Sequence, residues 1–228
     1  VLSIFLRFYM KMKAVLFDCD GLMFDTERVA QDMWREIGRS YGVEIPDDLF
    51  VAITGVKDTR ALTPYFETVP HLQDILDASR KKRFDLEFWA SFYPDGLNKK
   101  GLVALNQYLN ENHIPCCVCS SSKKEYVETL LHTVSVPLHF DSIVGGDMVE
   151  HGKPDPDIFL LGASILGVEA ENCLVLEDSK MGILAAKRAG MHSCFIQDTI
   201  KPDDEMKENI EFEKEDLSQV IDLLEELQ

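Results

Sequence analysis

Five short apolar runs constrain the fold of this 228-residue chain more than any other feature of its sequence. Apolar runs of this kind are typical of strands that are buried on both faces, as in parallel sheets. Helical patterns alternate with the later runs, and such an alternation predicts a doubly wound, Rossmann-like α/β sheet. The predicted strands are residues 13–17, 115–119, 140–144, 173–176 and 192–196.

Four amphipathic patterns predict the helices that cover this sheet. In each of them, apolar residues recur at the spacing of a helical face. Gly190 follows the third pattern and is a typical helix stop. The predicted helices are residues 101–112, 157–166, 181–189 and 217–227.

The segment of residues 26–92 breaks the alternation. Its spaced apolar residues favour several packed helices, and it contains no clear strand pattern. We therefore expect residues 1–25 and 93–228 to form the core domain. Residues 26–92 would form a helical subdomain that is inserted after the first strand.

The net charge of −17 argues against nucleic acid as a partner. An acidic surface repels the phosphate backbone, so we expect no nucleic acid partner. Residues 203–216 are particularly acidic and are predicted to be a surface segment.

The apolar residues 1–9 are too short to cross a bilayer and lack the pattern of a signal peptide, so we interpret them as an N-terminal extension. We expect no membrane partner. The six cysteines indicate buried free thiols in a reduced, cytoplasmic protein.

Asp18 and Asp20 follow the first predicted strand directly. Ligands of open α/β sheets bind beyond the carboxyl ends of the strands, so this position favours a functional role. Two close carboxylates repel each other, and either a cation or a proton must relieve the repulsion. Mg²⁺ prefers such oxygens, and a carboxyl group with a raised pKa can transfer a proton. The alternative is a turn that one aspartate caps, with Gly21 supplying a positive φ.

Further polar residues follow the later strands. Ser120 could bind phosphate together with nearby backbone N–H groups, or it could cap the next helix. Lys153 lies in a loop restricted by glycine and prolines, which suits a lysine aimed at one spot, although an ordinary surface lysine is the alternative. Glu177 and Asp178 could complete a metal site, and Asp178 or Ser179 could cap the helix that follows. If the strands are adjacent and parallel, all these groups converge on one crevice.

Four motifs in this order resemble those of the haloacid dehalogenase superfamily. The first motif, DxDGxxxDTE, is similar to residues 18–27 (DCDGLMFDTE). Residues 118–120 resemble the second motif and residues 152–156 (GKPDP) the third. Residues 176–179 (LEDS), together with Gly182, resemble the fourth. The resemblance covers nearly the whole chain from Lys13 onward.

This resemblance implies a Rossmann-like core with a helical cap and a Mg²⁺-dependent phosphoric monoester hydrolase. Asp18 would be the nucleophile that forms an aspartyl-phosphate, and also a magnesium ligand. Asp20 would be the general acid and base, and its backbone carbonyl would bind the metal too. Dehalogenases and phosphonate hydrolases usually lack an acid at this position, so both activities are not expected.

The remaining motif residues carry binding roles under the same resemblance. Ser120, Ser121 and Lys153 would bind the phosphate of the substrate. Asp178 would ligate magnesium directly, and Glu177 would do so directly or through water.

Two other functions remain as alternatives to the phosphatase. β-Phosphoglucomutase-type mutases tend to carry a histidine four residues after the position of Thr26 and an arginine three residues after the cap glycine. Here Ala30 occupies the first position and Asp58, counted from Gly55, the second. Both departures favour hydrolysis of a small phosphorylated metabolite such as a sugar phosphate.

A phospho-aspartate receiver uses similar residues, but receivers are much shorter and lack an inserted subdomain.

The cap would select the substrate by closing over the site and excluding bulk water. Gly55 and Lys57 are the cap residues that we expect to face the substrate. The implied partner is a small-molecule phosphate ester, and we expect a monomer or a weak homodimer.

Overall fold

The structure is a computed structural model that describes residues 11–53, 62–82, 84–85, 88, 93, 96–197 and 202–227. The chain divides into two compact units. One comprises residues 1–24 and 95–228, and the other comprises residues 25–94.

The first unit contains a six-stranded parallel sheet. Its strands are β1 (Ala14–Phe17), β2 (Cys116–Ser120), β3 (Ser142–Gly145), β4 (Cys173–Glu177), β5 (His192–Ile196) and β6 (Phe212–Lys214). Their order in the sheet is β3-β2-β1-β4-β5-β6. Every residue of β1, β2 and β4 is buried, which explains why these strands are continuous apolar runs. The predicted doubly wound α/β fold is confirmed.

The unit of residues 25–94 is helical in its described part, where no strand occurs. Its helices are α1 (Thr26–Ser40), α2 (Asp47–Ile53), α3 (Tyr65–Thr68) and α4 (Leu72–Lys82). Val29, Met33 and Ile37 are buried on one face of α1, at the four-residue spacing of a helical stripe. This face packs against α4, which buries Leu72 and Ile75. That the unit works as a cap stays a prediction.

Further helices cover the sheet of the first unit. They are α5 (Leu102–Glu111), α6 (Lys124–Leu131), α7 (Asp157–Leu166), α8 (Lys180–Arg188), α9 (Asp204–Lys207) and α10 (Gln219–Glu226). Helix α7 buries Ile158 and Phe159 in a core cluster with Leu16 of β1 and Val175 of β4. The four predicted helices agree with α5, α7, α8 and α10 to within two residues at either end. None of the helices in the described ranges is both long and apolar enough to cross a membrane.

Residues 203–216 correct the expectation of a purely acidic surface segment. They contain α9 and β6, and they bury Met206 and Phe212 to 2% and 8% exposure. Met206 packs against Ile183 of α8 and Phe195 of β5. Because β6 buries only Phe212 and exposes Glu213, its pattern is too weak to be recognised as a strand in the sequence.

Candidate active site

The candidate site lies at the carboxyl ends of β1, β2 and β4. Asp18 directly follows β1, whereas Ser120 ends β2 and Glu177 ends β4. The register pairs Phe17, the last residue of β1, with both Val118 and Leu176, so the three strands end within two residues of one another. The convergence expected from parallel neighbouring strands therefore occurs.

Lys153 reaches this edge from the loop that precedes α7. Its ammonium donates hydrogen bonds to Oδ1 of Asp18 and, at 2.6 Å, to Oε1 of Glu177. The side chain is only 3% exposed, which excludes an ordinary surface lysine. Arg188 of α8 donates a hydrogen bond of 3.0 Å to the carbonyl oxygen of Pro154 and so ties the Lys153 loop to the core.

Burial and neighbouring charges shift the proton affinities of this cluster. Burial raises the pKa of Asp18 to about 8, against the opposing effect of Lys153, and the charges of Glu177 and Asp20 raise it further. Burial alone would lower the pKa of Lys153, but the charges of Asp18 and Glu177 outweigh it and raise that pKa. Lys153 therefore stays charged at neutral pH, and an additional cation would favour the ionised form of Asp18.

The carboxylate of Glu177 is fully buried and held at both oxygens. Its Oε2 accepts hydrogen bonds from the backbone N–H groups of Asp178 (3.1 Å) and Ser179 (3.0 Å). It also accepts one from the Ser179 hydroxyl at 2.8 Å. The same hydroxyl caps α8 by accepting a hydrogen bond from the N–H of Gly182. Capping and site formation are thus combined in one loop.

Gly182 allows α8 to approach the buried carboxylate. A Cβ atom at this position would lie 1.7 Å from Oε1 of Glu177. The Glu177 side chain could not yield easily, because its hydrogen bonds fix both oxygens. A side chain at position 182 is therefore incompatible with the present geometry.

The acidic residues of the site fit a divalent cation. Oxygens of Asp18, Glu177 and Asp178 all lie within 4.8 Å of one another. Three carboxyl groups share one ammonium in a buried place, and a divalent cation would favour their ionised forms and balance the resulting negative charge. Hard carboxylate oxygens are the ligands that Mg²⁺ prefers.

Asp20 faces a pair of serine hydroxyls at the end of β2. Its Oδ2 accepts hydrogen bonds from Ser120 at 3.1 Å and from Ser122 at 2.8 Å. Ser121, which lies between them, is exposed. Ser122 is not among the site residues predicted from the sequence, although side chains two residues apart point to the same side at a strand end and could have indicated it.

The predicted cap residues Gly55 and Lys57 lie outside the described residues. Their proposed role stays a prediction.

The comparison with known families decides the class of the protein. A family model described as haloacid dehalogenase-like hydrolase matches residues 12–190. The chain belongs to this family. The resemblance of its four motifs is thereby confirmed, and the protein is a hydrolase.

Sugar-phosphate phosphatases are among the relatives of this hydrolase. It is 33% identical over 184 residues to a "phosphorylated carbohydrates phosphatase" of Thermotoga maritima. This match covers 81% of the present chain and 84% of the relative. It is 32% identical over 189 residues to the fructose-1-phosphate phosphatase YqaB of Escherichia coli, with 83% and 98% covered.

A solved structure shares the architecture of the hydrolase. The crystal structure of a candidate β-phosphoglucomutase from Thermotoga maritima matches with a TM-score of 0.81 and 26% sequence identity. The match covers 95% of this chain and 100% of the other. The α/β fold derived above is thus the fold of this structural neighbour.

Proposed function

We propose that this hydrolase is a Mg²⁺-dependent phosphatase that cleaves a small phosphorylated carbohydrate through an aspartyl-phosphate. The observation that carries the proposal is the buried contact of Lys153 with Asp18 and Glu177 at the ends of parallel strands. The similarity to two phosphatases that act on sugar phosphates supports this substrate class.

In the first step, the carboxylate of Asp18 attacks phosphorus, and the bond from phosphorus to the leaving alkoxide breaks. Asp20 donates its proton to that alkoxide, so the alcohol leaves as a neutral molecule. Asp20, now ionised, then takes a proton from a water molecule that attacks the phosphorus of the aspartyl-phosphate. The bond between the Asp18 carboxyl oxygen and phosphorus breaks as the water attacks, so inorganic phosphate leaves, Asp18 is again a carboxylate and Asp20 is again protonated.

Positioning of the phosphoryl group would fall to residues around this pair. The Lys153 ammonium would bind the non-transferred oxygens, with Ser121 as a further predicted contact. The Ser120 hydroxyl would join them by turning its single proton from Asp20, to which it donates at 3.1 Å, toward a phosphoryl oxygen, and Ser122 would then hold Asp20 alone. The electrostatic interaction of a charged donor with the phosphoryl oxygens is stronger among buried groups than in water, because the local dielectric constant is low.

Asp18, Glu177, Asp178 and the backbone carbonyl of Asp20 would hold Mg²⁺. When bound, the ion neutralises charge on the phosphoryl oxygens and helps to orient the in-line displacement. The excess of carboxylates over cations in the cluster is the structural reason for this assignment.

A phosphosugar mutase is the second candidate, because the structural neighbour is described as a candidate β-phosphoglucomutase. Ala30 of α1 stands where such mutases tend to carry histidine, which favours the phosphatase. Incubation with β-glucose 1-phosphate separates the two: a mutase forms glucose 6-phosphate, whereas a phosphatase releases inorganic phosphate.

The proposal is tested by phosphate release from a panel of sugar phosphates and nucleotides, with Mg²⁺ and with EDTA. We expect Asp18→Asn to lower kcat by more than about 10³-fold, since the nucleophile is lost. Asp222→Asn, an exposed change on α10, is the matched control and should retain full activity. Near-normal turnover by Asp18→Asn would exclude the proposed mechanism.

A further inference from the structure

The carboxyl group of Asp20 is held on one side by two hydroxyls. We propose that Ser122 is a positioning residue that, together with Ser120, orients Asp20 so that Oδ1 faces the leaving group. The inference rests on the proposed function, since it assigns an orientation to the general acid. It gives Ser122 a role through Asp20 rather than through the substrate.

The hydrogen bonds distinguish the two oxygens of Asp20. Oδ2 accepts from Ser122 at 2.8 Å and from Ser120 at 3.1 Å. A carboxyl oxygen has about two acceptor sites, so both sites of Oδ2 are used. Within the described part of the chain, Oδ1 has no such bond and is the oxygen that can carry the transferable proton.

Ser122 owes its position to the backbone around it. Its N–H donates to the Ser120 hydroxyl oxygen at 2.9 Å, which directs the Ser120 proton toward Asp20. Its carbonyl oxygen accepts a hydrogen bond of 2.8 Å from the N–H of Gly146. A Cβ atom on Gly146 would lie 2.3 Å from the carbonyl oxygen of Ser121, so only glycine permits this approach. The loop after β2 is therefore fixed before any substrate binds.

A leaving-group comparison tests this role. 4-Nitrophenyl phosphate and 4-nitrobenzyl phosphate are similar in shape, but the nitrophenoxide leaves readily without a proton and the benzyl alkoxide does not. We would compare kcat/KM, because it reports steps up to departure of the leaving group and not the later hydrolysis of the aspartyl-phosphate. Ser122→Ala should lower kcat/KM for the benzyl ester by about tenfold or more, and for the phenyl ester by less than about threefold.

Two control variants accompany the experiment. Ser122→Thr keeps the hydroxyl, so its kcat/KM for the benzyl ester should lie within about threefold of the wild-type value. Ser164→Ala removes the same hydroxyl oxygen from an exposed position of α7 and should leave kcat/KM for both esters unchanged. The melting temperatures of all variants are measured alongside, so that a folding defect is recognised.

The outcomes separate the inference from the proposed function. Equal losses on both esters would mean that Ser122 binds the common phosphoryl group or supports the fold, and the positioning role would be wrong. No loss on either ester would refute it as well. Failure of the wild type to release phosphate from either ester would instead count against the proposed function itself.

Discussion

Replacing Lys153 with methionine measures how strongly the buried cation stabilises the hydrolase. The Lys153 side chain is 3% exposed and contacts Asp18 and Glu177, whose side chains are 10% and 0% exposed. Methionine keeps an apolar stem of similar length but removes the charge. Asp18 and Glu177 then lose the cation that they share among the described residues, at a place that water reaches little.

The expected magnitude follows from the burial of all three groups. Removing one partner of a buried ion pair lowers the free energy of unfolding by about 3–5 kcal/mol. In proteins of this size, each kcal/mol of lost unfolding free energy lowers Tm by about 2–4 °C, so we expect the Tm of Lys153→Met in EDTA to be about 6–20 °C below that of wild type. The matched control is Lys207→Met, which removes an ion pair of 3.6 Å with Asp204 whose side chains are 61% and 102% exposed. It should shift Tm by less than about 4 °C.

Thermal melts of wild type and both variants at neutral pH provide the assay, first in EDTA and then with Mg²⁺. The divalent cation should recover part of the loss in Lys153→Met, since it supplies positive charge to the same carboxylates. A melting temperature of Lys153→Met within about 2 °C of wild type in EDTA would refute the view that the buried ammonium stabilises the fold through its contacts with Asp18 and Glu177.

Three further predictions concern the same core unit. Gly182→Ala should displace Glu177 and lower kcat by about 10²-fold, and unchanged steady-state kinetics would contradict this. Mg²⁺ should raise the Tm of wild type but not of Asp178→Asn, as measured by thermal melts with and without the ion; an equal rise in both would exclude Asp178 as a ligand. The hydrogen bond of His192 with Glu211 raises the pKa of the imidazole above its usual 6.5, so the stabilisation is complete below that pH and is lost as the pH rises through the raised pKa. His192→Asn should therefore lower Tm most in acid, and a deficit that grows toward alkaline pH would contradict this sign.

The strands that carry the site could be predicted from the sequence because their physical requirement is simple. β1, β2 and β4 are buried on both faces, so they must be apolar throughout and must end where the polar residues of the site begin. For that reason the carboxyl ends of these strands, and with them Asp18, Ser120 and Glu177, could be located without coordinates.

Other features depend on contacts that no local pattern records. β6 is an edge strand with one buried residue, and its pairing with β5 rather than its composition makes it a strand. Ser122 is one of three consecutive serines, and only the position of Asp20 distinguishes it from Ser121. The contacts of a cap with a substrate depend on a surface formed by distant segments, which residue spacing does not encode.

β1 is the first strand of the chain but lies in the middle of the sheet. Its neighbours are β2 and β4, so Val15 finds its partners only when Cys116 and then Leu174 have been synthesised. The whole unit of residues 25–94 is made in the interval. Pairings between such distant segments form slowly, and an apolar strand without neighbours is prone to aggregate. In a nascent chain of this hydrolase, the apolar strand that precedes Asp18 therefore lacks both neighbours until translation has passed β4, and this is the interval in which a chaperone would protect it from aggregation.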